Sequence, residues 1–302
     1  MPYEAISSKV YFGAGFHPHS GRDHAGSRLN LDCHFSWDGT LCRVPAIYLC
    51  AGGLVLDLLV RVEPEQIARF TQRWGAKLRT DTRLSSDEQL LCKADDPFSP
   101  DIIPRLIVNG KALTAVHVDS VRFNPHPDCC PPTMPEADTL TELYGCDRSC
   151  GWLIVRASFL WATRKKPALH SLSLTLEHQP RPVPGVHFIA RYAGQQFVFT
   201  HPFTGNEHRL TVLSVVHDTP GRTHLTCALT PDLPSHELLI CDSRAAVPEA
   251  AEPALLRTSD AMLHEAFSDP PFVTGEAPEW KLVFCLSRSA PVSLILMDDR
   301  RF

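Results

Sequence analysis

Residues 29–44, LNLDCHFSWDGTLCRV, constrain the fold more than any other stretch of the chain. Leu29, Leu31, Cys33, Phe35 and Trp37 alternate with Asn30, Asp32, His34 and Ser36, the period of a strand with one face buried. Asp38-Gly39 follows, and a two-residue type I′ turn needs positive φ at both central positions, which Asp tolerates and Gly favours. That loop sets Trp37 opposite Thr40, Phe35 opposite Cys42 and Cys33 opposite Val44, so the apolar face continues across the hairpin. Asp32, His34 and Arg43 fall together on the other face. Alternation and turn chemistry specify the same hairpin.

The same grammar recurs along the chain. Residues 47–50 and 54–62 read as the next strand pair, with Leu54, Leu56, Leu58, Val60 and Val62 on one face and Asp57 and Arg61 on the other. Asn109-Gly110 is a second hairpin turn between residues 106–108 and 111–113. Leu153, Val155, Ala157, Phe159 and Trp161 form one face of a strand, and the basic turn Arg164-Lys165-Lys166 leads to Leu172, Leu174 and Leu176 as its expected partner. Further strands are expected at 186–192 turning into 196–200, at 208–216, at 224–229, and in a last hairpin of 281–286 with 292–297.

Helices are few. Residues 64–74 open on Pro64 and place Ile67, Phe70 and Trp74 on one stripe. Ser85 and Glu88 have the spacing of a capping box, and residues 260–267 read as a short third helix. Many short strands and two or three short helices argue for a mainly β protein built as two antiparallel β-sandwich-like domains. The boundaries drawn are residues 1–178, carrying the helix 64–74 and an irregular Cys-rich loop 124–150; a Pro-rich linker 179–185, QPRPVPG; and residues 186–302.

Composition excludes some roles. A net charge of −5 with scattered Lys and Arg gives no pull toward nucleic acid. The longest apolar run, 44–60, is interrupted by Pro45, Gly52-Gly53 and Asp57, which argues against a membrane span. No basic-then-apolar leader opens the sequence, so the expected setting is the cytoplasm, with the eleven cysteines as reduced thiols.

Three clusters offer donor atoms. His17, His19, Asp23 and His24 crowd the loop before the first hairpin, and His34 on its outer face could add a ligand. Cys129, Cys130, Cys146 and Cys150, with His126 and Asp128 beside them, could staple an irregular loop around zinc, though adjacent cysteines do not make the usual knuckle. His201, Glu207, His208, His217 and Asp218 sit at strand ends, where two histidines and a carboxylate suffice for a catalytic zinc. Against each stands a blander reading, since fifteen histidines make chance clustering in polar loops easy.

No cofactor is therefore expected, and zinc is the ion these donors would suit. There is no GxxxxGK[ST], no GxSxG and no GxGxxG after a strand. Trp37, Trp74 and Trp161 lie on apolar faces, where a core role competes with stacking on sugars. The favoured function is a non-catalytic binding or assembly protein with a protein partner or a second copy of itself. A zinc-dependent hydrolase or lyase is the alternative, and a carbohydrate-binding module comes third.

Overall fold

The structure is a computed structural model that describes residues 9–17, 21–80, 83–99, 101–218, 222–234, 236–244, 254–257, 262–268, 277–286 and 289–298. In chain order these form β1 (Ser27–Trp37), β2 (Thr40–Leu49), β3 (Gly53–Val62), α1 (Pro64–Arg79), α2 (Ser86–Asp95), β4 (Ile102–Val108), β5 (Lys111–Phe123), α3 (Pro135–Leu143), β6 (Gly151–Leu160) and β7 (Ser171–His178). Then come β8 (Arg181–Ile189), β9 (Gln196–Thr200), β10 (Glu207–Asp218), β11 (Arg222–Thr230), β12 (Leu238–Asp242), β13 (Ala254–Arg257), β14 (Met262–Phe267), β15 (Glu279–Leu286) and β16 (Val292–Asp298). The protein is mainly β, its sheets are antiparallel, and three helices accompany them among the described residues.

The chain divides into two compact units, residues 1–82, 95–179 and 288–302 in one and residues 83–94 and 180–287 in the other. The first is one sheet in the order β1-β2-β3-β6-β5-β4-β7-β16. Asp38 and Gly39 take φ of 51° and 71°, and Trp37↔Thr40, Phe35↔Cys42 and Cys33↔Val44 pair in the register that turn dictates. Asn109 and Gly110 do the same at φ 50° and 77°, pairing Val108 with Lys111. Right-handed twist accumulated over so many strands curls the sheet until β1 and β16 lie side by side. There Trp37 stacks on His178 with ring centroids 3.9 Å apart and donates its Nε1–H to the Ala290 carbonyl at 3.1 Å. Leu54, Leu56, Leu58, Leu153, Val155, Phe159, Leu172 and Leu174 fill the inside.

The second unit is a sandwich, with β13-β14-β11-β10-β9 as one layer and β12-β15-β8 as the other. Phe188, Phe199, Leu210, Val212, Leu225, Cys227, Trp280 and Phe284 from both layers share its core. Helix α2 opens on the expected capping box, Glu88 N donating to Ser85 Oγ and Ser85 N to Glu88 Oε2. His187 of β8 lies 2.7 Å from Asp87 of this helix, and Lys281 of β15 donates to Ser86, which explains why residues 83–94 group with this unit.

Several local expectations change. Residues 181–185, taken as linker, belong to β8 and pair with β15; prolines 182 and 184 are accommodated because β8 is the edge of its layer. The expected terminal hairpin does not form, because β15 pairs with β12 and β8 while β16 joins β7 in the other unit. Nor do β6 with β7, or β8 with β9, make hairpins; each connection passes between non-neighbouring strands. Of residues 260–267, expected helical, 262–267 form β14, held by ladders to β11 and β13 that override local propensity. Inside the Cys-rich 124–150 segment lies α3, started by Pro135 and seated through Ala137 and Leu140.

The inside of the first unit is lined by buried apolar side chains. Leu58→Ala, at a 1 % exposed site, is expected to lower unfolding free energy by about 2–5 kcal/mol in urea titration.

Candidate functional site

The three donor clusters come apart or come to rest differently. His17, Asp23 and His24 are exposed, and His19 lies outside the described residues. His34 is also exposed and bonds Asp32 at 3.2 Å, beside the Asp32–Arg43 pair expected on that face. Arg43, first by hydrogen bond and then by charge, holds the Asp32 carboxyl below its usual range. Cys129 packs toward the interior of the first unit, whereas Cys146 packs against the α3 cluster on the outside of the sheet. Cys150 is buried with Asp147 Oδ2 3.7 Å from its sulfur, and burial pushes the Cys146 thiol up to about 11. All four are free thiols. His126 and Asp128 beside them are exposed.

In the third cluster Glu207 points outward opposite Thr200, and His217 is exposed with Nδ1 3.0 Å from Thr223 Oγ1. Asp218 ends β10. His201 and His208 do meet, with ring centroids 6.0 Å apart, at 2 % and 3 % exposure. Their tautomers follow from their partners. Phe203 N and Thr204 N donate to His201 Nδ1 at 3.2 and 3.1 Å, so Nδ1 is an acceptor and the proton sits on Nε2. His208 Nδ1 lies 2.8 Å from the Pro231 carbonyl, which only accepts, so here Nδ1 carries the proton. Glu237 Oε2 stands 4.0 Å from His201 Nε2. Among the described residues no three donors converge on a metal position.

Alternation placed Asp57 on the face of β3 opposite its leucines, and the ladders to β6 and β5 show what it meets there. Asp57, Arg156 and Asp119 stand in register across these three strands. Arg156 Nε and Nη2 each donate at 2.8 Å to the two Asp57 oxygens, and its Nη1 donates to the Gly15 carbonyl at 3.0 Å. Tyr144, just past α3, donates its hydroxyl to Asp57 Oδ2 at 2.5 Å and pairs with the Tyr48 hydroxyl at 2.8 Å. Phe16 lies under the guanidinium at 4.4 Å and gives its N–H to Asp119 Oδ2. Burial, then the Asp57 charge, push the Tyr144 hydroxyl far above the phenol range, so it stays a donor. Burial opposes the Arg156 charge, and Asp57 overrides it. Both Asp57 oxygens are engaged. The cluster therefore fastens the N-terminal segment and α3 to the sheet.

The less protected part of the first unit lies where β4 meets β5. Their ladder is confined to Leu106↔Leu113, Ile107↔Ala112 and Val108↔Lys111. Beyond it β4 pairs only with β7 and β5 only with β6 among the described residues. A cavity of about 400 Å³ opens between them, lined by Ile102, Ile103, Pro104, Ala115, Val118 and Ser120 among others. Val116 and Val118 of β5 are 50 % and 43 % exposed, and Ile103 of β4, which lines the cavity together with Val118, is 37 % exposed. The Ser120 N–H is taken up by the Asp119 side chain at 2.8 Å, as at a strand edge with no neighbour to bond.

No family model, curated protein or solved structure matches the chain. Among the described residues no helix is long and apolar enough to cross a membrane.

Removing one member of the buried ion pair leaves the other charge unmatched. Asp57→Asn is expected to cost about 3–5 kcal/mol in chemical denaturation, and the double replacement Asp57→Leu with Arg156→Leu less than that. In the second unit His264, 4 % exposed on β14, has its pKa pulled down by burial, with Asp232 partly opposing. Its unfolded ring binds the proton more tightly, so stability present above about pH 6.5 is lost as pH falls through the lowered value. His264→Leu is expected to flatten the acid limb of a stability-versus-pH curve measured by urea titration.

Proposed function

We propose that this chain is a non-catalytic binding or assembly protein whose first unit accepts an extended segment of a protein partner alongside β5. The supporting observation is the unzipped β4–β5 seam. A strand left without a neighbour presents main-chain donors and acceptors in the spacing that an added strand satisfies, while exposed side chains beside it read the partner's alternate residues. Val116 and Val118 supply apolar contacts of that kind. The cavity beside β5, about 400 Å³, lies between the two unpaired stretches. Pro104 brings no N–H to the β4 lip, so the template is β5.

The test uses the full chain, ¹⁵N-labelled, titrated with a ten-residue alternating Val/Thr peptide carrying Lys at both ends. Amide shifts confined to residues 114–120 are expected, with affinity at least tenfold weaker for Val118→Lys. Loss of binding is also expected when every second peptide residue is replaced by proline, which removes the N–H groups a ladder needs. Equal binding of the proline peptide, or shifts that avoid β5, would count against the reading.

A further inference from the structure

The second unit contains a different device, independent of β5. His201 follows β9, and its ring is the acceptor that gathers two consecutive amides, those of Phe203 and Thr204, from the loop leading to β10. Ring orientation is not arbitrary. Turned over, a carbon-bound hydrogen would face both N–H groups and neither would be bonded. The rest of the loop is closed on the same residue, with His201 N donating to the Asn206 carbonyl at 2.8 Å and Gly205 N to the His201 carbonyl at 3.0 Å. At its tip Phe203 is 63 % exposed.

A neutral imidazole that already carries hydrogen on Nε2 can take a second proton only on Nδ1. That atom is the one holding the two amides. Proton uptake therefore converts the acceptor of two hydrogen bonds into a donor facing two donors. We propose that His201 is an acid-released latch: at neutral pH it holds loop 202–206 closed, and a proton taken from water onto Nδ1 frees the loop.

The surroundings favour the uncharged, latched form. Burial lowers the pKa of His201; Glu237, with Oε2 4.0 Å from Nε2, opposes this, and His208 adds to it. From β15 the ring meets only the edge of Phe284, at 5.1 Å. Glu207, the neighbour of His208 on β10, faces outward. His208 points its own Nε2 lone pair into the buried space and has no partner for it among the described residues.

The sign is fixed by linkage. An open loop frees the ring to its ordinary pKa near 6.5, so the open form binds protons more tightly and acid favours it. Between that value and the lowered one, the open-to-closed ratio rises about tenfold for each pH unit.

The experiment is amide hydrogen exchange by NMR on the full ¹⁵N-labelled chain from pH 7.5 to 5.0, expressed as protection factors. Protection at Phe203 and Thr204 is expected to fall below pH 6.5, at a slope approaching tenfold per unit until the lowered pKa of the closed ring is reached, while core amides such as Leu210 and Val212 change far less. His201→Asn, whose Oδ1 can accept the same bonds without titrating, should make the two amides insensitive to pH. The ring ¹⁵N resonance of wild-type His201 should titrate with the midpoint of the amide change, a readout that stands even if the variant does not fold. Constant protection over the range, an equal fall in the Asn variant, or a ring midpoint different from that of the amides would each overturn the latch.

Discussion

The arrangement of the first unit depends on one ion pair, Asp57 with Arg156, bridging the adjacent strands β3 and β6 on the face opposite the apolar interior. Burying both charges is expensive, and attraction offsets that cost only when the remaining lone pairs and N–H groups are also engaged. Here the Tyr144 hydroxyl and the Gly15 carbonyl take up those positions. The N-terminal segment and α3 are thus components of the pair's own solvation, and their attachment follows from it. With these elements on the outer face, β3 and β6 are buried nearly throughout, and the end of β5 at Val121 and Phe123 is covered with them, while residues 114–118 of β5 stay exposed.

Much of the architecture was legible in residue alternation. The hairpins at Asp38-Gly39 and Asn109-Gly110 form in the expected register because turn chemistry and face pattern are both local. The helices at Pro64 and Ser85 were announced by their first turns. Non-local choices were not. Nothing in residues 281–297 says that β15 and β16 will part and join different sheets, since alternation specifies a face and leaves the partner open. The prolines of 179–185 suggested a linker because proline disrupts a central strand, yet an edge strand accepts it.

The site was less legible than the fold, for a related reason. Histidine and cysteine attract notice by type, but a donor cluster depends on where their rings and sulfurs point. His201 and His208 were brought together as expected, and only the amides bonded to His201 disclose which nitrogen bears the proton. The signal for the Asp57 cluster was present and understated: single opposite charges in two otherwise apolar strands, LVLDLLV and WLIVRASFL. A lone acid in one such run and a lone base in the other invite the question of whether the two meet.

The clamp on the N-terminal segment grips main chain. Gly13 N, Gly15 O and Phe16 N are the atoms held, by Ser158, Arg156 and Asp119 respectively. A grip of this kind is indifferent to most side chains, so Ala14 is free to drift over evolutionary time. Gly15 is not, because at φ 60° any β-carbon would run into Asp119 and His117. One missing methyl group is thus the toll on an otherwise permissive segment.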